Sequence, residues 1–364
     1  MISIKKPTLV LNSRICHENI RAMTAKATES GVIFRPHFKT HQSAAIGEWF
    51  RAEGVTAITV SSVSMAQYFA ANGWNDITIA FPVNLCEIDE INQLAAGIHL
   101  NLLVESVPTA NFLVENLSAE CGFFIKIDTG YHRTGIAVSN VALIEAVLRN
   151  AVSPLLHFKG FLTHSGNAYH AKNLDDLKQI QQFTAENLLR LKKHFLPQFP
   201  DLILSVGDTP TFSQLPVPEG IDEIRPGNFV FFDVMQFALG SCRLEEIAVA
   251  LVCPVVAMHP GRQEAVIYGG AVHLSKEQTY LFPDTQPVYG LAFAWNGETW
   301  ETDRLLGKVK SLSQEHGIIA LTQVGCNLKP GDLVAILPVH SCLTASLMRF
   351  YISENGLEID TMNR

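Results

Sequence analysis

The sequence predicts an α/β fold: a (β/α)8 barrel of the TIM type followed by an antiparallel β-domain. Up to about residue 245, short apolar runs alternate with amphipathic helical patterns, which is typical of βαβ units and a parallel sheet. From Glu246 onward, β-rich runs are separated by turn signals such as Asn296-Gly297 and Pro330-Gly331. A chain of 364 residues with 48% hydrophobic residues can bury a large core. We therefore predict two domains, a barrel over 14–245 and a β-domain over 1–13 plus 246–364.

The barrel prediction rests on the apolar runs that precede Glu246. After a short first strand, about eight strands are predicted, which is the number that closes a (β/α)8 barrel. A doubly wound sheet is the alternative, but it would usually open with a Gly-rich fingerprint that this sequence lacks. The predicted strands are Thr8–Asn12, Ile33–Pro36, Thr56–Val60, Asp76–Ala80, His99–Val104, Phe123–Asp128, Leu155–Thr163, Leu202–Val206 and Glu223–Arg225.

Helical periodicity separates these strands. The predicted helices are Glu18–Glu29, Ser43–Glu53, Ser64–Ala71, Glu87–Ala95, Thr109–Asn116, Val141–Arg149 and Leu174–His194. Phe229–Asp233 is predicted as a buried strand that ends at a polar residue.

The predicted β-domain follows. Its strands are Ile247–Val256, Glu264–Tyr268, Pro287–Leu291, Gly307–Leu312, Gly317–Leu321 and Leu333–Leu337. Thr8–Asn12 precedes the barrel strands and is a candidate member of this domain.

Composition and charge exclude several classes of function. The formal net charge of −8 leaves no basic stripe for a nucleic-acid backbone. No apolar run approaches the roughly 20 residues of a membrane span, and the N-terminus lacks the apolar core of a signal peptide. Seven cysteines occur without a CxxC pair, which argues against a disulfide framework and favours a reducing, cytoplasmic setting.

The heptapeptide Arg35–His41 carries the first candidate for chemistry. Lys39 stands at a predicted strand-to-helix junction, where a side chain at the rim of a sheet can reach into a cleft. The neighbouring His37, His41 and Arg35 disfavour an ammonium and thus favour the neutral amine that a Schiff base requires. The alternative is a basic turn that keeps its loop soluble.

Polar clusters follow the other predicted barrel strands, where the active sites of such barrels lie. These clusters are Asp128–Gly135, Thr163–Tyr169, Ser205–Thr211 and Arg225–Asn228. The small-residue loops at Gly207–Thr209 and Gly227-Asn228 could hold a phosphate through their N–H groups, although such loops are often only turns. A reactive amine, a phosphate cradle and cationic or aromatic contacts together fit pyridoxal phosphate.

His340 and Cys342 form a candidate metal site near the end of the chain. The preceding run reads as a strand, and residues two apart on a strand point to the same face. Imidazole and thiolate together suit Zn²⁺, or another divalent metal. Because two ligands do not fill a tetrahedral site, water or substrate would complete it, as at a catalytic metal. The alternative is a buried cysteine beside a structural histidine.

Arg35–His41 resembles the RPHxKTH lysine motif of the fold-type III pyridoxal-phosphate enzymes grouped as D-serine dehydratase and D-threonine aldolase, relatives of alanine racemase. The resemblance covers nearly the whole chain and ends at Pro338–Cys342. It implies that Lys39 binds the cofactor covalently, that Arg133 contacts its phenolic oxygen and that His164 lies against its pyridine face.

The same resemblance implies further contacts with cofactor and metal. Tyr169 would orient the cofactor or substrate, and Arg225 would lie near the pyridine nitrogen, as the corresponding arginine does in alanine racemases. His340 and Cys342 would bind the metal beside the cofactor. The residues that would hold the phosphate are Gly207, Thr209, Gly227 and Asn228.

The activity implied by the resemblance is a lyase that eliminates water from a D-β-hydroxy amino acid, giving a 2-oxo acid and ammonia. The dehydratases of this family carry His-x-Cys, as in this sequence, whereas the aldolases tend to carry His-x-Asp. The alternatives are retro-aldol cleavage to glycine and an aldehyde, racemisation, and a non-catalytic cofactor carrier. A homodimer is also implied, and D-serine, D-threonine and β-hydroxy-D-aspartate stay open as substrates.

Overall fold

The computed structural model describes residues 3–281, 283 and 285–362. The chain forms two compact units. The first, here called the barrel unit, comprises Met23–Lys39 and Phe50–Gly227. The second, the β-unit, comprises Met1–Ala22, Thr40–Trp49 and Asn228–Arg364. Within the described residues, no helix has both the length and the apolar composition that a bilayer span requires.

The barrel unit is built on a parallel sheet, and one strand of the β-unit, β1 (Thr8–Leu11), precedes it in the chain. The barrel-unit strands are β2 (Ile33–Phe34), β3 (Ile58–Val60), β4 (Asp76–Pro82), β5 (His99–Val104), β6 (Cys121–Asp128), β7 (Ile136–Ala137), β8 (Leu156–His164), β9 (Ile203–Gly207) and β10 (Glu223–Ile224). Eight of them lie in the order β2-β10-β9-β8-β6-β5-β4-β3, and the short β7 pairs only with β6.

A bridge between the two outer strands closes this sheet into a barrel. His37, just beyond β2, pairs in parallel with Thr59 of β3. Thr59 N donates to Pro36 O, and Phe38 N donates to Thr59 O, each at 2.9 Å. The predicted (β/α)8 barrel is therefore confirmed.

Helices follow most of the strands. They are α1 (Ser13–Glu29), α2 (Ala44–Ala52), α3 (Val63–Ala71), α4 (Ile88–Ala95), α5 (Val107–Asn116), α6 (Val141–Asn150), α7 (Leu174–Phe195), α8 (Thr209–Gln214), α9 (Val234–Ala238), α10 (Ala271–Leu274) and α11 (Ser341–Met348). Several begin at a Ser, Asn or Asp side chain that accepts a hydrogen bond from an N–H of the first turn, as Ser62 does from Met65 and Asn173 does from Asp176. These caps explain why the helices start directly after their loops.

The β-unit contains a mainly antiparallel sheet. Its later strands are β11 (Val249–His259), β12 (Glu264–Tyr268), β13 (Gly290–Trp295), β14 (Trp300–Leu312), β15 (His316–Leu321), β16 (Leu333–Pro338), β17 (Phe350–Ser353) and β18 (Glu358–Asp360). The order is β12-β15-β14-β13-β16-β11-β1-β17-β18, and an additional β11–β12 pairing closes six of these strands into a barrel. β1 pairs antiparallel with β11 and parallel with β17, so the N-terminal strand belongs to this sheet.

The predicted strand at Phe229–Asp233 is wrong. Asn228–Val230 forms a 3-10 helix, and Phe232 has a positive φ of 50°, which a strand does not allow. Asp233 instead caps α9, because its Oδ1 accepts from Gln236 N at 2.9 Å. The apolar run therefore reflects burial at the end of the barrel sequence rather than an extended backbone.

Candidate active site

Lys39 lies just beyond β2, at the carboxyl end of the barrel strands. The preceding Phe38 is fully buried and packs against the rings of Phe50 and Trp74. The Lys39 side chain, in contrast, is exposed, and its backbone N donates to His37 Nδ1 at 3.3 Å. The anchored phenylalanine thus fixes the backbone that presents the amine at the barrel mouth, where active sites of this fold lie.

The loop after β6 is organised by Asp128. Its Oδ1 accepts from the backbone N–H groups of Gly130, Tyr131 and His132 at 2.9–3.0 Å, and its Oδ2 lies 2.8 Å from His132 Nδ1. Burial raises the pKa of Asp128, but these hydrogen bonds outweigh burial and the net pKa is lowered. The ionised carboxylate therefore holds the turn that carries Arg133.

Tyr131 connects two residues that the sequence assigned to the site. Its ring lies 5.8 Å from that of His164, edge to face, and the Arg133 guanidinium lies 5.0 Å from its centroid. Gly166 makes room for this ring, since a Cβ at that position would come within 2.4 Å of Tyr131. Tyr131 was not predicted as a site residue, because an aromatic residue in a loop gives no local sign of what it packs against.

His164, the last residue of β8, is held as a neutral imidazole. Its Nδ1 lies 2.6 Å from the carbonyl oxygen of Gly207, so Nδ1 carries the proton and donates it. Burial and the positive charges of Lys39 and Lys126 lower the pKa of His164 well below its usual value. A neutral ring in a fixed orientation is suited to lie against an aromatic cofactor.

His37 has a similar environment. Burial, and then the charges of Lys39, Arg225, His164 and Arg133, lower the pKa of His37 well below its usual value. The five side chains are therefore close enough to interact electrostatically. The barrel unit thus brings together four residues assigned from the sequence, Lys39, Arg133, His164 and Arg225, with His37, which was not assigned.

The predicted phosphate loops lie at the ends of β9 and β10. Thr209 N, in the first turn of α8, donates to Tyr169 Oη at 3.4 Å. Gly207 and Gly227 allow close approach, because a Cβ on Gly207 would lie 2.9 Å from Arg225 Cβ and one on Gly227 would lie 2.8 Å from His37 Cβ. Tyr169, Gly207 and Thr209 therefore share one edge of the barrel mouth.

Arg225 is directed into the wall of the barrel. It is 4% exposed, its Nε donates to Ser205 Oγ at 2.6 Å, and its Nη2 donates to Thr163 O. Ser205 Oγ in turn donates to Glu223 at 2.5 Å. Burial lowers the pKa of Arg225 to about 10, with the positive charge of Arg35 adding to the effect. The guanidinium is thus a fixed, buried cation, and its residue lies next to Gly207 of one predicted phosphate loop.

Lys126 is a buried amine near the barrel mouth that was not predicted from the sequence. It lies on β6, is 6% exposed, and is near Arg225, Arg133 and Asp128. Burial, and then the two arginines, lower the pKa of Lys126 to about 7. The signal that could have found it is a charged residue inside the apolar run Phe123–Ile127.

His340 and Cys342 lie in the β-unit, where β16 leads into α11. The prediction that both lie on one strand is wrong, because β16 ends at Pro338, His340 is the N-cap of α11 and Cys342 is in its first turn. Their side chains nevertheless meet, since His340 hydrogen-bonds with Cys342. The strand-to-helix junction therefore brings the two side chains together, as the predicted strand was expected to do.

The surroundings of this pair suit a cation. His340 Nδ1 is buried and has no hydrogen-bond partner among the residues that the structure describes. Burial lowers the pKa of His340, but Cys342, Asp233 and Glu277 outweigh burial and raise it to about 9. Imidazole, thiolate and nearby carboxylates fit a divalent metal. No group of three or more His, Cys, Asp or Glu ligands occurs in the part of the chain that the structure describes.

The Asn228 side chain contacts this pair. Its Nδ2 lies 2.7 Å from Asp233 Oδ2, 3.2 Å from Ser341 Oγ and 3.5 Å from Cys342 Sγ. Because the amide is used in this way, only the backbone N–H of Asn228 could contribute to a phosphate cradle.

Two parts of the chain match known sequence families. Residues 12–234 match the family described as the alanine racemase N-terminal domain, and residues 248–353 match the one described as a serine dehydratase domain. The D-serine dehydratase of Dictyostelium discoideum is 28% identical over 96% of this chain and 93% of its own length.

A solved structure supports the same grouping. The D-threo-3-hydroxyaspartate dehydratase from Delftia sp. HT23 has 25% sequence identity and a TM-score of 0.89, covering 100% of this chain and 98% of that one. A variant of that protein was solved in the metal-free form. A D-threonine aldolase from Arthrobacter sp. is 28% identical but matches only 49% of this chain. Since more than half of its residues match that first family, this chain belongs to the alanine racemase N-terminal domain family.

Proposed function

We propose that this protein is a pyridoxal-phosphate- and metal-dependent lyase that eliminates water from a D-β-hydroxy amino acid, giving a 2-oxo acid and ammonia. The observation that carries this proposal is the His340–Cys342 pair, with its buried and unpartnered His340 Nδ1. A metal there can act on a β-hydroxyl group, which a racemase has no need to do. In sequence, the dehydratase relatives also match nearly the full chain, whereas the aldolase from Arthrobacter sp. matches about half of it.

The residues of the barrel unit would hold the cofactor. Lys39 offers an exposed amine at the mouth, and Arg133 a cation for the phenolic oxygen. His164 offers a neutral ring for the pyridine face, and Tyr169 is placed to orient cofactor or substrate. The phosphate would bind at backbone N–H groups of the two small-residue loops. These loops contain Gly207, Thr209, Gly227 and Asn228, with Arg225 buried beneath them.

Elimination needs a base for the α-proton and a way to release hydroxide. The cofactor, when bound, supplies an electron sink for charge at Cα, and the metal supplies a Lewis acid for the β-hydroxyl. Lys39 is the base that takes the α-proton, because it is an exposed basic residue in the loop after β2, at the barrel mouth. The imidazole of His164 is held in place by Gly207 O, and because burial and nearby cations lower its pKa well below the usual value, it is a poor competitor for the proton.

The finer assignments belong to the same proposal. We assign the cofactor to the domain predicted over 14–245 and the metal to the domain predicted over 1–13 plus 246–364. Zn²⁺ is the proposed metal, because imidazole and thiolate suit it. A cytoplasmic setting fits the absence of disulfide bonds among the cysteines that the structure describes, which are Cys16, Cys86, Cys121, Cys242, Cys253 and Cys342. The proposed homodimer would sediment at twice the chain mass of 40.1 kDa.

The decisive experiment measures products rather than substrate loss. The holoenzyme is incubated with D-serine, D-threonine or β-hydroxy-D-aspartate, with the L-enantiomers as controls, and 2-oxo acid, ammonia and glycine are quantified. We expect equal amounts of 2-oxo acid and ammonia from at least one D-substrate, with loss of both after chelation and recovery when Zn²⁺ is returned. Glycine with an aldehyde as the main products would establish the aldolase instead, and activity that survives complete metal removal would refute the proposed role of the metal.

A further inference from the structure

We propose that Thr40, Asn228 and Asp233 form a hydrogen-bonded shell that positions His340 and Cys342 for the metal. This inference rests on the metal site of the proposed function and deepens it. All five residues belong to the β-unit. Protein groups that hydrogen-bond to metal ligands orient those ligands and raise metal affinity.

Asp233 is the central hydrogen-bond acceptor of this shell. It is 1% exposed, and its Oδ2 accepts from Ser341 N at 3.0 Å and from Asn228 Nδ2 at 2.7 Å, with Ser341 Oγ at 3.3 Å. Ser341 separates the two proposed ligands in the chain. Holding its N–H therefore orients the backbone on both sides, toward His340 and toward Cys342.

A second backbone contact supports the same segment. Met235 N, in α9, donates to Val339 O at 3.2 Å, immediately before His340. The carboxylate that caps α9 thus also binds the first residue of α11, and α9 itself binds the residue before His340. Asp233 and Ser341 are 108 residues apart in sequence, so this link is entirely tertiary.

Thr40 and Asn228 approach the sulfur itself. Cys342 Sγ lies 3.3 Å from Thr40 Oγ1 and 3.5 Å from Asn228 Nδ2. Thr40 is fully buried and Asn228 is 6% exposed, so neither side chain is free to turn into solvent. A metal-bound sulfur carries no proton, so the hydroxyl would donate to it. Hydrogen bonds of this kind adjust the donor strength of a thiolate ligand.

Variants of Thr40 give the cleanest test, because valine removes the hydroxyl with little change of shape. The holoenzyme forms of Thr40→Val, Thr40→Ser and Asp233→Asn are titrated with a chromophoric chelator to measure Zn²⁺ affinity. The thiolate-to-metal absorption of the Co²⁺-substituted forms is recorded in parallel. We expect roughly 10- to 100-fold weaker metal binding and an altered Co²⁺ spectrum for Thr40→Val and Asp233→Asn. Thr40→Ser should retain the parent values, and the cofactor absorbance should be unchanged in all three.

Two control variants distinguish a wrong assignment of the shell from a wrong assignment of the metal site. Thr344→Val makes the same substitution at another buried threonine, in α11, whose hydroxyl donates to Leu274 O at 3.5 Å, and it should leave the metal affinity unchanged. Cys342→Ala should lose the metal. If Thr40→Val and Asp233→Asn bind Zn²⁺ as the parent does while Cys342→Ala does not, the shell is refuted and the proposed function stands. If Cys342→Ala binds Zn²⁺ undiminished, the metal site itself is refuted. If Asp233→Asn does not fold, the Thr40 pair decides alone.

Discussion

Burial controls the protonation of the side chains at the barrel mouth. His37 and His164 stay neutral because burial and neighbouring cations disfavour a further positive charge. Lys126 has its pKa lowered to about 7 for the same reasons. The mouth thus contains several basic residues without the full positive charge that they would carry in water, and a phosphate or carboxylate would change that balance.

The burial of Asp208 changes its pKa and should therefore make the free energy of unfolding depend on pH. It caps α8, with Oδ1 accepting from Thr211 N at 2.7 Å, and burial raises its pKa to about 7. An unfolded aspartate has a pKa of about 3.9, so between these values the folded state retains a proton that the unfolded state releases. The free energy of unfolding therefore falls as pH rises from about 4 to about 7, by at most about 4 kcal/mol.

Asp208→Asn keeps the cap and removes the titration. We expect the thermal midpoint of this variant, relative to that of the parent, to rise as pH is raised from 5 to 8. The exposed Asp175 provides the control, and Asp175→Asn should follow the parent curve. Parallel pH profiles for the parent and Asp208→Asn would contradict the assignment.

Among the structural elements, the barrel strands show how glycine permits close pairing. Gly160 in β8 has a φ of +140°, and a Cβ there would lie 1.9 Å from Ile203 O in the neighbouring β9. The two residues are direct partners in the ladder. A side chain at this position would therefore both strain the backbone and separate two strands whose ends carry His164 and Gly207.

Gly160→Ala should destabilise the protein by about 3 kcal/mol or more, because overpacking and backbone strain act together. Gly97→Ala is the matched control in the same unit, since its Cβ would meet only Leu94 O, at 3.8 Å. Denaturant unfolding of both variants against the parent gives the comparison. Equal stability of the two variants would show that β8 and β9 can move apart at little cost.

At the scale of the whole molecule, the N-terminus depends on strands that come much later in the chain. All four residues of β1 are buried, and both of its sheet neighbours, β11 and β17, lie beyond residue 248. A chain cut between the barrel strands and the β-domain would expose an apolar strand with unpaired edges, which favours aggregation.

A chain truncated after Gly227 should therefore be insoluble when it is expressed alone. Coexpression with residues 228–364 should restore solubility by returning both partners of β1. The fraction of protein in the cleared supernatant, followed by size-exclusion chromatography, measures this. A soluble, monomeric 1–227 chain with slow hydrogen exchange at Thr8–Leu11 would show that β1 does not need its partners.

Local patterns were sufficient to predict most of the elements. Apolar periodicity predicted the barrel strands and helices to within a few residues, because burial repeats every two residues on a strand and every 3.6 on a helix. Lys39 became a candidate for chemistry through its place at a strand end, Cys342 through the His-x-Cys spacing, and His164 through the resemblance. The alternation of strands and helices predicted the fold class and the resemblance predicted the family, and both are confirmed, while the roles of individual site residues stay predictions.

Other features depend on residues that are distant in sequence. The barrel closes through His37 and Thr59, the Arg225 guanidinium turns toward Ser205 and Thr163, and Asp233 binds Ser341 across 108 residues. The run before His340 gave no sign that a helix begins at Ser341. Periodicity records only whether a position is buried, whereas a hydrogen bond also requires a particular partner at a particular distance. That partner is set by the folding of the chain as a whole.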